Sequence, residues 1–240
     1  MDNYDKKAAQ MSQKQISEAL KKAVEYNKKL LGNVVLTDPF DPEAVEKQNE
    51  DYDNILNIAG NGVMGAVEIP SIDVYLPIYH GTDSKSLEKG AGHLENSSFP
   101  VGGKGTHSII SAHTGLPSAK MFDNLTEVKE GDIFYIHVLN RTLAYEVNQI
   151  KVVLPENISD LLINKNRDYV TLITCTPYGI NSHRLLVRGE RIPYREAKKK
   201  DKSESKINNM WKAYAFVGVL AVVLIILLWY YYRIRLKKKK

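Results

Sequence analysis

The chain has 240 residues, 43% of them hydrophobic, and a formal net charge of +5, enough for one sizeable domain with appendages. Much of the excess charge sits in Lys198-Lys199-Lys200 and in the tail Lys237 to Lys240, so it reads as a membrane-topology signal and not as a nucleic-acid footprint. A single cysteine excludes an internal disulfide. Ser12, followed three positions later by Gln15, predicts a capped helix over 12–31 within an N-terminal segment of residues 1–33. Ile16, Leu20, Ala23, Val24, Leu30 and Leu31 recur at helical spacing, and Gly32-Asn33 is a stop signal. Such a helix either packs on the main domain or serves as a stalk. Residues 34–60 lack periodicity and hold Asp38-Pro39-Phe40-Asp41-Pro42, extended or turning because proline drives its predecessor away from helix. A short helix is predicted over 42–48. A long irregular segment in a compact protein points to a functional role or to disorder.

From Val63 the pattern becomes β. Strands are predicted over 63–70, 72–78, 106–112, 133–139, 143–150, 169–175 and 185–191, with short helices over 121–125 and 158–162. Short strands divided by Gly, Pro and Asn turns indicate a barrel or sandwich over residues 61–193. Residues 194–210 are polar and charged and read as a linker. The uncharged run Ala213 to Tyr232 matches a hydrocarbon core of about 30 Å at about 1.5 Å per helical residue. Trp211, Tyr214 and Trp229 to Tyr232 lie at its ends as aromatic belts do, so a transmembrane helix is expected over 211–233. The basic tail 234–240 belongs in the cytoplasm, which places residues 1–210 outside the cell membrane.

The lone thiol, Cys175, ends the strand pattern Thr171-Leu172-Ile173-Thr174-Cys175, with Arg184 nine positions on and His113 upstream in Ser111-Ala112-His113. A thiol with a distant His and Arg is a candidate nucleophilic site; composition alone is equally compatible with an inert buried cysteine. If the strands on either side of loop 176–183 pair, Cys175 and Arg184 stand near each other, and directly opposed residues share a face. A guanidinium there stabilises a thiolate or an oxyanion. The register itself stays open. His183 is the runner-up base, although strand neighbours point to opposite faces. His80, His107 and His137 show no metal-ligand spacing, and Gly102-Gly103-Lys104-Gly105 lacks the spacing of a phosphate loop. No metal is expected.

Taken together, these segments resemble the sortases, cysteine transpeptidases of Gram-positive surfaces. Thr171 to Cys175 is similar to their T-L-x-T-C signature, Ser111-Ala112-His113 to their histidine motif, and Asn181 to Gly189 to their arginine strand, in the same order within residues 60–192. Asp38-Pro39-Phe40 resembles the lid motif of class C, the pilin-polymerising sortases, in which a C-terminal span is also typical. The resemblance implies a mainly β fold, a closed barrel of about eight strands with short helices, an N-terminal helix, a lid within 34–60 and the C-terminal transmembrane helix. It implies Cys175, His113 and Arg184 as the catalytic trio, with Asp38 meeting Arg184 and Phe40 covering Cys175. Thr174, His183 and His93 are expected beside the site or along the substrate groove. No cofactor is implied. The implied partners are pilin subunits carrying an LPxTG-like sorting signal and an acceptor lysine. The alternatives are a sortase that anchors proteins to the cell wall and a non-catalytic, membrane-tethered β-barrel adhesin. Class C sortases commonly carry an N-terminal hydrophobic segment, and residues 1–30 hold no apolar run of that length, so one is expected upstream of Met1.

Overall fold

The computed structural model describes residues 2–30, 36–41, 50–116 and 119–201. Eight strands close into a barrel: β1 (Val63–Ile69), β2 (Val74–His80), β3 (Ala91–His93), β4 (Thr106–Ser111), β5 (Ile133–Val138), β6 (Arg141–Val153), β7 (Asp168–Thr176) and β8 (His183–Ile192). Their order around the barrel is β1-β2-β3-β4-β7-β8-β6-β5, and β5 pairs back onto β1 with Ala66 opposite His137. The β2–β3 and β4–β7 pairs are parallel and the others antiparallel. The expected barrel is therefore present. Closure leaves no sheet edge exposed.

Alternation along the strands builds two apolar layers. Val67, Ile110, Phe134, Ile136, Leu172 and Val187 belong to the main core. Their strand neighbours Ile109, Ile173 and Leu186 turn the other way, into a second buried cluster outside it. Gly189 lets β8 pass close to that core, because a Cβ there would lie 2.4 Å from the Phe134 ring.

The N-terminal segment packs on the barrel through polar pegs. Helix α1 (Asp2–Gln10) places Tyr4 so that its hydroxyl donates to Met64 O at 2.7 Å and accepts from Leu139 N at 3.0 Å. Helix α2 (Gln13–Lys29) starts at the predicted capping box: Gln15 N donates to Ser12 Oγ and Ser12 N donates to Gln15 Oε1. Its buried face is Ile16, Leu20, Ala23 and Asn27, while Val24, expected on that face, is exposed. The Asn27 carboxamide accepts from Phe99 N at 2.7 Å and donates to Phe99 O at 3.1 Å. Of the two roles open to this helix, it takes the packed one.

Several local details differ from the sequence reading. The second strand starts at Val74 because Pro70–Ile72 form a 3-10 turn that ends with Asp73 in a left-handed conformation, φ 54°. The short helices expected over 121–125 and 158–162 are 3-10 turns at Leu125–Glu127 and Ser159–Leu161. The linker expected from 194 begins with a helix over 194–201. Pro193 O accepts from Glu196 N and Ala197 N at its start, and Ala197 is buried with Ile133, Tyr135 and Ala144. Among the described residues no helix is long and apolar enough to cross a membrane. The span expected over 211–233, the tail 234–240 and the short helix expected over 42–48 lie outside the described residues.

Candidate active site

The antiparallel pairing of β7 with β8 places Cys175 directly opposite Arg184, with Thr174 opposite Leu185 and Thr176 opposite His183. Directly opposed residues share a face, so thiol and guanidinium stand side by side. The parallel pairing of β4 with β7 sets Ser111 opposite Ile173. Ala112 N donates to Ile173 O at 3.1 Å. The same register carried two residues past the end of β4 would set His113 level with Cys175. Thr174, on the opposite face, donates its hydroxyl to Ala112 O at 2.7 Å and so pins the residue before His113. The next loop is tied down by Phe122 N donating to His113 O at 3.0 Å and by Gly115 N donating to Asp123 Oδ1 at 2.7 Å.

The Asp38-Pro39-Phe40 segment lies over this corner. Arg184 Nε donates to Asp38 Oδ1 at 2.8 Å and Nη2 to Asp38 Oδ2 at 2.5 Å. The two side chains are only 10% and 12% exposed. Arg184 Nη1 donates to Asn181 O and His183 O at 3.0 and 3.2 Å. The Phe40 ring lies 5.2 Å from the Arg184 guanidinium carbon and 5.8 Å from the His113 ring. It is thus wedged between the arginine and the histidine. The segment is a tight turn, with Asp41 N donating to Asp38 O at 3.1 Å.

Electrostatics follow from this cover. Burial pushes the Cys175 thiol up, the Asp38 charge adds to that, and Arg184 opposes it. Burial lowers the His113 imidazole, against the nearby Glu88 charge. For Arg184, burial works against the charge, but the Asp38 hydrogen bond and the charges of Cys175 and Asp38 prevail and hold it above its usual range. At neutral pH the covered site therefore holds a thiol and a neutral imidazole.

Other histidines named from the sequence fall elsewhere. His183 Nδ1 meets Ser182 Oγ at 2.9 Å on the face of β8 opposite to Arg184. His93 is fully buried, between the Tyr52 hydroxyl at 2.9 Å and Ser98 O at 2.9 Å, and stacks on Phe99. Burial holds its ring near about 3. It braces the barrel wall and does not line the site. His107 is pinned by Leu162 O and Thr171 Oγ1, and burial lowers it to about 4. Both ring nitrogens of His80 meet backbone carbonyls, Gly62 O and Ile55 O. His137 pairs with Glu68 at 2.7 Å. Among the described residues no cluster of three or more His, Cys, Asp or Glu could hold a metal ion.

Two features on the face of the second cluster escaped the sequence reading. Leu36 is buried, and so is the Ser111 hydroxyl, which lacks a hydrogen-bond partner. Alternation along β4 from Ile109 would have put Ser111 on the face of the second cluster; nothing in the irregular segment flagged Leu36.

A strand-borne thiol opposite a guanidinium, level with an imidazole, is a constellation for acyl transfer through a covalent intermediate. Comparisons with known proteins agree. The Sortase domain matches residues 67–192. Sortase C-1 from Streptococcus pneumoniae superposes with a TM-score of 0.75 at 51% identity, covering 80% of this chain and 97% of that one. A pilus-related sortase C of Group B Streptococcus gives a TM-score of 0.75 at 44% identity over 81% of this chain and 97% of that one. Sortase D from Bacillus subtilis is 29% identical over 131 residues, 53% of this chain and 63% of that relative. With class C sortases as its structural neighbours and the Sortase domain across its barrel, the chain belongs to the sortase family of cysteine transpeptidases.

Proposed function

We propose that this sortase joins pilin subunits, with Cys175 as nucleophile, His113 as general acid and base, and Arg184 as oxyanion and backbone clamp. The observation that carries this reading is the Cys175–Arg184 pairing, with the Phe40 ring between Arg184 and the His113 ring. The Asp38–Arg184 ion pair and the likeness to a pilus-related sortase C support the pilin assignment.

The reaction runs in two halves. His113 takes the Cys175 proton, and the thiolate attacks the carbonyl carbon after the threonine of an LPxTG-like sorting signal. Arg184 donates to the oxygen that gains charge. The C–N bond breaks as His113 returns its proton to the leaving amine, and a thioester remains. A lysine ε-amine of another pilin then attacks that thioester, gives a proton to His113, and expels the Cys175 sulfur, which recovers its proton. The product is an isopeptide bond. Water in place of the amine gives hydrolysis.

Catalysis belongs outside the cell, with the chain held by the expected transmembrane helix 211–233 and its basic tail inside. Incubating the chain with a sortase-signal pilin and resolving products by denaturing electrophoresis tests the reading. Covalent ladders, absent with Cys175→Ala, are expected. Transfer to a peptidoglycan amine without ladders would make it an anchoring sortase instead.

A further inference from the structure

Beyond His113, on the side away from Arg184, stands a carboxylate with nothing to hold. The strands run β8-β7-β4-β3 across this end of the barrel. The β3–β4 pair sets Gly92 opposite Ser111, and the same register carried two residues further would set Gly90 beside His113. Gly90 is tightly held: its N–H donates to Ser86 O at 3.2 Å, and a Cβ there would lie 2.6 Å from Pro77 O. The short helix Ser84–Leu87 leads into it, capped by Asp83 and anchored by the buried Leu87. Glu88 follows, its N–H donating to Ser84 O at 2.9 Å. Its carboxylate is exposed and has no hydrogen bond or ion pair among the described residues. Nearby carboxylates are occupied. Asp83 Oδ1 accepts from Lys85 N and Ser86 N, Asp123 Oδ1 accepts from Gly115 N, and Asp38 holds Arg184. Lys89 does not neutralise Glu88 either, since its Nζ lies 6.0 Å from the Tyr79 ring. The last turn of a helix favours cations, so the carboxylate gains nothing from its place in the fold.

We infer that Glu88 docks the ammonium of the incoming lysine on the His113 side of the thioester, and so selects the acceptor and not the sorting signal. The inference rests on the proposed transfer to a lysine amine. The two sides of the reacting carbonyl need opposite charges. Its oxygen gains negative charge, which suits Arg184. The acceptor arrives as a cation, because a lysine amine has a pKa of about 10.4, and that suits a carboxylate. Glu88 is free to take this cation, and its charge reaches the imidazole: burial lowers His113 and Glu88 opposes the shift. The docked ammonium releases one proton to water, and the neutral amine attacks the thioester carbon. Its second proton passes to His113 and on to the Cys175 sulfur as the C–S bond breaks.

The test supplies the full chain with a sorting-signal peptide and measures KM for two acceptors, Nα-acetyl-lysinamide and hydroxylamine. At neutral pH the first is a cation and the second is uncharged. Glu88→Gln is expected to raise KM for the lysine derivative about fivefold relative to hydroxylamine, the equivalent of about 1 kcal/mol. Glu88→Lys, which repels the cation, is expected to raise that ratio further. Added salt is expected to shrink the wild-type preference, because the carboxylate is exposed. Glu25→Gln removes an exposed carboxylate of α2 and is expected to leave the ratio as in wild type. A ratio unchanged in Glu88→Gln and Glu88→Lys, with the thioester formed, would overturn the inference and leave the transpeptidase reading in place. KM rising equally for both acceptors would also overturn it, and would make Glu88 a residue that acts on His113 alone. A wild-type chain that forms no thioester would remove the proposed function, and this inference with it.

Discussion

Asp38 grips Arg184 fork to fork, Nε to Oδ1 at 2.8 Å and Nη2 to Oδ2 at 2.5 Å, and Asn181 O and His183 O take the third nitrogen. All three guanidinium nitrogens are engaged. An arginine so occupied has little left to offer an oxyanion, so the carboxylate must leave before the arginine can act. The pair is shielded from water, so drawing the carboxylate away leaves a buried guanidinium uncompensated, which costs more than breaking an exposed pair. In the proposed mechanism substrate binding would have to offset that cost, which would make the covered state a brake on turnover.

Asp38→Ala should release the brake and change the pH dependence. Burial is the main cause of the raised Cys175 thiol, and the Asp38 charge is the second upward influence. Removing that charge leaves burial as the one upward influence against Arg184, so the thiol moves down. The rate of thiol modification should rise at neutral pH, and the midpoint of its pH profile should move to lower pH. Asp38→Asn keeps the shape and removes the charge, so it should move the midpoint in the same direction with a smaller gain in access. A midpoint unchanged in both variants would show that the thiol does not feel this carboxylate.

Arg184→Lys should lose most activity while the barrel stays folded. A lysine ammonium is a point charge and cannot span two carboxylate oxygens or clamp a carbonyl with a planar fork. Loss of about 100-fold or more in kcat is expected for removal of an oxyanion donor. The same variant should also loosen the cover, so Cys175 should be modified faster even as peptide turnover falls. Faster labelling with slower catalysis separates the two jobs of this residue. A variant that turned over normally would remove Arg184 from the proposed chemistry.

How much of this was legible in the chain depends on the range of the signal. Period-two patterns marked seven of the eight strands, because each is long enough to show alternation. The strand Ala91–His93 has three residues and no period to read. Cys175, His113 and Arg184 were legible as residues, but their register was not, since it depends on which strand rungs pair across the loop between them. Helix α1 was missed because Tyr4 and Ala8 are buried among polar neighbours, and its docking uses a tyrosine hydroxyl and not an apolar stripe. Asn27 was invisible for the same reason: a polar residue on the buried face of a helix is recognised only by the backbone it meets.

Acid should weaken the fold through its buried histidines. Burial holds His93 near about 3 and His107 near about 4, and it lowers His113 as well. The unfolded chain protonates these rings near pH 6.5, and the native state refuses the proton. Their contribution to stability is therefore complete above about pH 6.5 and is lost as pH falls below it, by up to about 1.4 kcal/mol per pH unit each for the fully buried rings His93 and His107. Urea unfolding at pH 7, 6 and 5 should show this fall. His107→Gln retains an amide donor for Leu162 O and cannot titrate, so its stability should fall with pH by about one proton less. An identical slope in that variant would place the acid sensitivity elsewhere.

Asn27→Ala tests whether the N-terminal helices are part of the folded domain. The Asn27 side chain is buried and satisfies both backbone groups of Phe99, whose ring packs against Tyr26, Tyr52 and His93. Alanine leaves a buried N–H and a buried C=O without partners, each costing about 1–3 kcal/mol. In a domain of this size 1 kcal/mol moves Tm by about 2–4 °C, so a fall of about 5 °C or more is expected. Asn27→Asp should be worse, because it loses the donor to Phe99 O and buries a charge. Lys29→Ala, at an exposed position on the same helix, should change stability by no more than about 0.5 kcal/mol. The Tyr4 hydroxyl makes the corresponding link for α1, so Tyr4→Phe should lower Tm by a smaller amount, because it removes hydrogen bonds without leaving a cavity. If Asn27→Ala and Lys29→Ala melted together with wild type, α2 would be a stalk and not a part of the fold. If Asn27→Ala melts early, α2 is locked to the barrel through the Phe99 backbone and belongs to the folded domain.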